Sequence, residues 1–174
     1  MRKGIFGGTF DPIHFGHIHA IAYSLDEAKL DNVHVVVAGE PYQKNDLVAS
    51  ADQRLDWVRL SLDQHFPKSE NVFLDDREVR RDGPSYTIDT ISEIRAEYPK
   101  DELVLVVGED LVERIDSWKD SEKLLDLVEI FVVPRTIFPT SSSYIRRLLR
   151  DNKTITGLVP SVIESEIIEK SLYN

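Results

Sequence analysis

Two adjacent glycines and two histidines stand close together near the start of the chain. Gly7 and Gly8 follow a short apolar run, and His14 and His17 are three residues apart. Glycines let backbone amides approach a ligand closely, because no Cβ stands in the way. Two imidazoles at the start of a helix predicted from Gly16 would lie near its positive end, where anions bind favourably. This segment therefore predicts a site for nucleotide phosphates.

The histidines also admit other interpretations. His14, His17 and His19 could ligate a metal ion, since helical spacing would place His14 and His17 on one face. No carboxylate lies at a diagnostic spacing, however, and the chain contains no cysteine. A structural role as capping or core histidines is a further alternative. The phosphate interpretation is favoured because glycines, histidines and a helix start coincide, although neither the dinucleotide fingerprint nor a Walker loop occurs.

A second candidate anion site lies near the other end of the chain. Ser142 and Ser143 stand in the first turn of a predicted helix, and Arg146 follows one turn later. Hydroxyls and amides there can donate hydrogen bonds, and the guanidinium adds charge and a planar fork. The alternative is a plain serine N-cap followed by a solvated basic helix.

Strands and helices that could position these residues alternate along the chain. The pattern predicts strands at 2–6, 33–38, 71–74, 103–107 and 130–133, and helices at 16–29, 86–98, 142–150, 161–171 and after the cap residue Ser50. Such alternation predicts an α/β fold, a Rossmann-like doubly wound parallel sheet with helices on both faces, as one domain over 1–174. Ligands of such folds bind beyond the carboxyl ends of the strands, at the switch point.

Composition excludes several classes of protein. The net charge of −10 over 174 residues argues against a general nucleic-acid binder, which would carry a basic face. The absence of cysteine excludes disulfides and thiolate metal sites. No apolar run approaches the roughly 18 residues of a membrane span, and no signal peptide precedes the first strand. We therefore expect a cytoplasmic protein that binds small molecules rather than membranes or nucleic acids.

Two motifs together carry a family resemblance. Residues 7–17 read Gly-Gly-Thr-Phe-Asp-Pro-Ile-His-Phe-Gly-His, and residues 141–146 read Ser-Ser-Ser-Tyr-Ile-Arg. The pair resembles the nucleotidyltransferase family and, more narrowly, the bacterial nicotinate-nucleotide adenylyltransferases. Residues 83–90 and 108–110, with Trp118, are similar to further segments of that family.

The resemblance implies transfer of AMP from ATP to nicotinate mononucleotide with release of pyrophosphate. The acceptor phosphate would attack the α-phosphorus directly and in line, with Mg²⁺ on the ATP phosphates as cofactor. His14, His17 and Arg146 would be the catalytic residues. The residues implied to bind ATP are Gly7, Gly8, Thr9, Phe10, His14, His17, Gly108, Asp110, Ser142, Ser143 and Arg146.

The resemblance also implies an acceptor-binding group of five residues. Trp118 would stack on the pyridine ring, Thr87 would help to hold its carboxylate, and Lys44 would lie near the mononucleotide phosphate. Asp11 and Arg135 complete the group.

Three departures from the family pattern keep the acceptor open. Gln43 stands where the family usually has histidine, Asp116 stands where it commonly has proline, and the segment 135–141 is shorter than usual. Alternative acceptors are nicotinamide mononucleotide, phosphopantetheine and a sugar phosphate. A nucleotide-sensing module without turnover is an alternative of another class. The oligomeric state is left open, with a homodimer as one alternative.

Overall fold

A computed structural model describes residues 1–42, 47–137 and 139–173. Its strands are β1 (Arg2–Gly8), β2 (Asn32–Val37), β3 (Glu40–Pro41), β4 (Val72–Asp75), β5 (Pro84–Ser85), β6 (Glu102–Gly108) and β7 (Glu129–Val133). Its α-helices are α1 (Phe15–Glu27), α2 (Ala51–His65), α3 (Arg77–Arg80), α4 (Thr87–Glu97), α5 (Glu109–Val112), α6 (Ser121–Leu127), α7 (Ser142–Arg150) and α8 (Ser161–Glu169).

Five parallel strands form the central sheet in the order β4-β2-β1-β6-β7. The chain builds one half outward from β1 to β4 and then crosses to begin the other half at β6. The strands β1 and β6 are therefore neighbours from which the chain proceeds in opposite directions, which defines a switch point. The prediction of a doubly wound parallel sheet is confirmed.

Alternating side chains of the strands supply two separate cores. Phe6, Val35 and Val106 pack on one face with residues of α1, α2, α7 and α8. Ile5 and Leu105, with other strand residues, pack on the opposite face with residues of α4 and α6. All six residues of β2 are buried, including Asn32 and His34, as expected for a strand that is covered on both faces. Helices thus cover both faces of the sheet.

The long predicted elements agree with the structure to within about two residues at each end. Ser50 caps α2 as predicted, with its side chain accepting a hydrogen bond from the amide of Gln53. The short elements α3, α5, α6, β3 and β5 were not predicted, because so few residues carry too weak a periodic signal. Across the described ranges, no helix has the length and apolarity needed to span a bilayer.

Candidate active site

A cavity of about 250 Å³ opens at the switch point, beyond the carboxyl ends of β1 and β6. Its lining includes six residues that the sequence analysis places in the site, namely Gly7, Gly8, Thr9, Thr87, Gly108 and Trp118. Four of the residues implied to bind ATP and two of those implied to bind the acceptor thus line one cavity, at the edge where a doubly wound fold binds its ligands.

The two glycines that end β1 have different structural roles. A Cβ on Gly7 would meet nothing within 4 Å, so the Gly7 backbone faces open space at the cavity. A Cβ on Gly8 would lie 2.6 Å from the ring of Phe10. Phe10 is buried and has a left-handed backbone (φ 54°). The structure therefore places the Phe10 ring beneath the glycine turn rather than at a surface open to ATP.

His14 and His17 lie together at the start of α1. Their rings stack with centroids 3.6 Å apart, and the Phe10 ring meets His17 edge-on at 4.9 Å. The amide of His14 donates a hydrogen bond to Nδ1 of His17, at 3.2 Å. Since that nitrogen accepts, it carries no proton, and the ring proton of His17 resides on Nε2. Nε2 is thus the ring nitrogen of His17 that can donate on its far side.

The late serine and arginine meet the early turn. The hydroxyl of Ser142 donates to the carbonyl of Pro12 at 2.9 Å, and Nη1 of the buried Arg146 donates to the carbonyl of Asp11 at 2.9 Å. Ser141 caps α7 by accepting from the amide of Tyr144. These contacts join residues 130 and 135 positions apart. The group formed by His14, His17, Ser142 and Arg146 is not among the described residues that line the cavity. It is connected to the cavity along the chain, through Gly8 and Thr9 at the start of the turn.

The described residues that line the cavity do not include Asp11, for which the resemblance implies a contact with the acceptor. Its side chain is 1% exposed, and its carboxylate accepts hydrogen bonds from the amides of Val48 and Ala49 and from the hydroxyl of Tyr173. These bonds within the chain use both carboxylate oxygens. The structure therefore gives Asp11 a position in the scaffold of the turn, in place of the acceptor contact that the resemblance implies.

Arg135 also lies outside the cavity that Thr87 and Trp118 line. Its guanidinium is 3.4 Å from the carboxylate of Asp110, and its amide donates to Glu109. The strands β6 and β7 are neighbours in the sheet, so the residues that follow them meet at its edge. Both side chains of the Arg135–Asp110 pair are exposed, and neither is among the described residues that line the cavity. Lys44 falls in the segment 43–46, outside the described residues.

Sequence reasoning missed Arg54, whose buried side chain stabilises the backbone at the site. Arg54 lies on α2, is 1% exposed, and donates to the carbonyls of Thr9, Ala38 and Gly39 at 2.8, 2.6 and 2.9 Å. Burial lowers the pKa of its guanidinium. One buried side chain thus ties the turn after β1 to the end of β2. The sequence feature that could have indicated a buried position for Arg54 is its spacing: it lies four residues before Val58 and therefore on the same inward face of the helix.

A second group missed from the sequence lies in the cavity wall. Glu78, Ser85 and Thr90 line the cavity, and the Thr90 hydroxyl donates to the Glu78 carboxylate. Ser85 accepts a hydrogen bond from the amide of Gly39, and Arg81 donates to Thr90. Burial raises the pKa of Glu78. These contacts fix the segment that leads into α4 and its first residue, Thr87.

The aromatic side chains of Tyr42, Tyr86 and Trp118 and the cation Lys119 line the cavity, and we call them the aromatic wall. The rings of Tyr42 and Tyr86 lie 5.0 Å apart, and the ammonium of Lys119 lies 4.3 Å above the Tyr86 ring. Lys119 also pairs with Asp89 at 3.0 Å. Tyr42 is 63% exposed. This wall offers flat faces for an aromatic ring and a positive charge beside them.

The donor set of the site suits phosphate rather than a bare metal ion. Within 1–42, 47–137 and 139–173, no three side chains of histidine, cysteine, aspartate or glutamate converge in a way that could hold a metal ion. The site offers N–H and O–H donors instead, which suit oxygen atoms of phosphates.

Comparison with known proteins finds a matching family model and similar relatives. The cytidylyltransferase-like family model matches residues 5–152. A probable nicotinate-nucleotide adenylyltransferase of Thermus thermophilus is 34% identical over an alignment that covers 99% of this chain and 100% of the relative. Another probable nicotinate-nucleotide adenylyltransferase, from Chromobacterium violaceum, is 41% identical over an alignment that covers 79% of this chain. The alignment covers 64% of that relative, which is just under two thirds of its length.

Solved structures share the fold. Plasmodium falciparum nicotinic acid mononucleotide adenylyltransferase complexed with NaAD superimposes with a TM-score of 0.82, at 20% identity, over 99% of this chain and 97% of that one. The same protein complexed with APC gives a TM-score of 0.78 at 20% identity, over 99% of this chain and 96% of that one. At this identity the likeness concerns the arrangement of strands and helices.

Proposed function

The chain belongs to the cytidylyltransferase-like family and, within it, to the nicotinate-nucleotide adenylyltransferases, and from that premise we propose that it transfers AMP from ATP to nicotinate mononucleotide. The products are deamido-NAD and pyrophosphate. One observation carries the proposal: the glycine–histidine turn and the first turn of α7 meet beside a cavity at the switch point. That arrangement offers one place for a triphosphate and an adjoining place for a second nucleotide.

The acceptor phosphate needs no activation by the protein. A phosphate monoester is largely doubly ionised at neutral pH, because its second pKa is about 6. Its oxygen is already a nucleophile for the α-phosphorus of ATP, so we assign no general base. The task of the protein is to align two anions that repel each other and to stabilise charge on the departing pyrophosphate.

The donors for the triphosphate come from both ends of the chain. Nε2–H of His17 and the amides at the start of α7 are fixed donors that require little reorganisation during the reaction. Arg146 adds positive charge, and a guanidinium has five N–H groups, so its bond to the Asp11 carbonyl is compatible with further bonds to phosphate. Gly7 lets the ligand lie directly on the backbone.

The acceptor side is assigned to the aromatic wall. The Trp118 ring provides a face on which a pyridine can stack, and the Thr87 hydroxyl can donate to the carboxylate of nicotinate. Lys119 also lines the cavity, and although it pairs with Asp89, its charge would attract an acid at that position more strongly than an amide. This cation is the specific feature that supports nicotinate rather than nicotinamide mononucleotide.

A divalent metal ion would fit this site when it is bound to the phosphates of ATP. Mg²⁺ typically keeps several waters and is bound through substrate phosphates with few protein ligands. The donor set found beside the cavity is of that kind, since it offers N–H and O–H groups for phosphate oxygens, and the described residues form no cage of carboxylates. Bound to the triphosphate, Mg²⁺ would supply positive charge that offsets the charge of the leaving group.

An assay of pyrophosphate release tests the proposal. Purified protein with ATP and Mg²⁺ should release pyrophosphate with nicotinate mononucleotide, more slowly with nicotinamide mononucleotide, and not with phosphopantetheine. Equal rates with acid and amide would remove the role given to Lys119. Release with phosphopantetheine alone would overturn the acceptor assignment, and release with none of the three would support a nucleotide-sensing module.

A further inference from the structure

Tyr173 links the segment after α8 to the early turn. The residue is 5% exposed, and its hydroxyl donates to Oδ1 of Asp11, 162 positions earlier in the chain. None of the sequence motifs that indicate the site includes this tyrosine. Its contact is nevertheless with the residue that follows Phe10 in the glycine–histidine turn.

The carboxylate of Asp11 joins its own turn to two other segments of the chain. Besides the Tyr173 hydroxyl, it accepts the amide of Val48 at Oδ2 and that of Ala49 at Oδ1, both at 3.2 Å. A buried carboxylate is costly unless its oxygens accept hydrogen bonds. The three donors therefore fix the rotamer of Asp11 and, with it, the backbone of the turn.

The backbone of the same turn is held by the residues assigned to the triphosphate and by the arginine beneath it. Arg146 donates to the Asp11 carbonyl, Ser142 to the Pro12 carbonyl and Arg54 to the Thr9 carbonyl. Movement of Asp11 would thus displace the carbonyl on which the Arg146 guanidinium rests.

The hydroxyl of Tyr173 stays protonated and therefore remains a hydrogen-bond donor. Burial and the hydrogen bond to Asp11 both raise its pKa well above the ordinary value for tyrosine. Because its pKa is raised, the Tyr173 hydroxyl keeps its proton throughout the neutral and mildly alkaline range. The Tyr173 hydroxyl therefore keeps its proton for the bond to Asp11 at the pH of an ordinary assay.

We propose that Tyr173 is a positioning residue for adenylyl transfer, acting through Asp11 to hold the turn that bears His14 and the carbonyl that orients Arg146. This inference rests on the proposed function. Tyr173 does not contact the substrates in this account. It sets the geometry of groups that stabilise the transition state, so its loss should lower kcat more than it weakens substrate binding.

The test uses Tyr173→Phe, which removes one oxygen and keeps the ring. We expect kcat to fall about tenfold, while KM for ATP and for nicotinate mononucleotide stays within about twofold. Tyr23→Phe is the matched control, because Tyr23 is half-buried and packs on Phe131 away from the turn. Assays are run well below the Tm of each variant, so that reduced stability alone does not lower kcat.

A double-mutant cycle shows whether the hydroxyl acts through Asp11. If it does, Tyr173→Phe should cost little further kcat in the Asp11→Asn background, so that the two effects are far from multiplicative. Independent, multiplicative effects would overturn the proposal, as would a kcat for Tyr173→Phe equal to that of the wild type.

Amide hydrogen exchange provides a readout that does not need turnover. In Tyr173→Phe, exchange at the amides of Val48 and Ala49 should be faster than in the wild type, whereas Tyr23→Phe should leave it unchanged. Unchanged exchange at these amides in Tyr173→Phe would contradict the proposed contact. If the wild type releases no pyrophosphate with any acceptor, the proposed function fails, and the exchange result still decides whether Tyr173 holds the turn.

Discussion

The two halves of the candidate site are built differently. On the phosphate side, Asp11, His14 and Arg146 are buried. Arg146 donates to a carbonyl of the turn, and the Asp11 carboxylate accepts from the amide of Ala49. On the acceptor side, the aromatic wall includes exposed side chains such as Tyr42, and Lys119 pairs with an exposed carboxylate. The phosphate side is thus preorganised for a charge that every nucleotide carries, while the acceptor side can vary with the substrate.

The largest expected effect lies on the phosphate side. His17→Ala removes the Nε2–H donor and should lower kcat by about 10²–10³-fold, as loss of one preorganised donor to a developing charge does. His14→Ala removes the ring stacked on it and should lower kcat in the same direction. Steady-state pyrophosphate release measures both.

His19→Ala is the control for these variants, because His19 lies on the same helix with an exposed side chain. It should keep near-normal kcat, and all three variants should keep the circular dichroism spectrum of the folded protein. Near-normal turnover by His17→Ala would remove that residue from the phosphate role.

An intermediate effect is expected on the acceptor side. Trp118→Ala removes the stacking face and should raise KM for nicotinate mononucleotide about tenfold or more, since stacking on an aromatic side chain contributes about 1–3 kcal/mol per base. KM for ATP should hardly change. Trp118→Phe keeps an aromatic face and should show a smaller rise. A rise in KM for ATP as large as that for the acceptor would contradict the separation into two sides.

The two glycines sharpen the comparison within one turn. Gly8→Ala drives a Cβ into the buried Phe10 ring and should lower the free energy of unfolding by about 1–3 kcal/mol. Gly7→Ala meets open space, so stability should be nearly unchanged. Its Cβ instead intrudes where the nucleotide would lie, and the Kd for ATP should rise about tenfold, or by 1.4 kcal/mol. Thermal unfolding and calorimetric titration distinguish these outcomes, and tight ATP binding by Gly7→Ala would place the nucleotide elsewhere.

The smallest effect on catalysis is expected at Asp75, at the end of the edge strand β4. Burial would raise the pKa of this carboxyl, but hydrogen bonds from His34 and Arg77 outweigh it and lower the pKa. A lowered pKa stabilises the fold above the unfolded-state pKa of about 3.9, and that contribution is lost as pH falls below it.

Asp75→Asn should therefore lower the free energy of unfolding by about 1–3 kcal/mol at pH 7, and the difference from wild type should shrink as the pH falls below about 4. Asp76→Asn is the control, because Asp76 pairs with the exposed Arg80 and should show a smaller difference. A difference between Asp75→Asn and wild type that does not depend on pH would contradict this assignment. Denaturant unfolding at several pH values provides the measurement.

The phosphate side could be predicted from the sequence to a large extent. The glycines, histidines and the late serine and arginine fall into two short motifs, and alternating strands and helices predict the edge where they gather. The structure brings these two motifs together through the bonds of Ser142 and Arg146 to the early turn. That these groups share one triphosphate stays a prediction.

The supporting residues could not be predicted in the same way. Arg54, Glu78 and Tyr173 act through partners as far as 45, 12 and 162 positions away, and no local pattern shows which carbonyl, hydroxyl or carboxylate they will meet. For the same reason, residue type alone suggested a ligand contact for Asp11, whereas its oxygens are used within the chain. Sequence gives the type of a buried polar group, and only the fold shows what satisfies it.

A crystal structure with a non-hydrolysable ATP analogue and nicotinate mononucleotide tests the central claim most directly. We expect the triphosphate to lie between His17 and the first turn of α7, within hydrogen-bond distance of both, with the pyridine ring against Trp118. A triphosphate that contacts only one of the two segments, or that lies away from the switch point, would contradict the account.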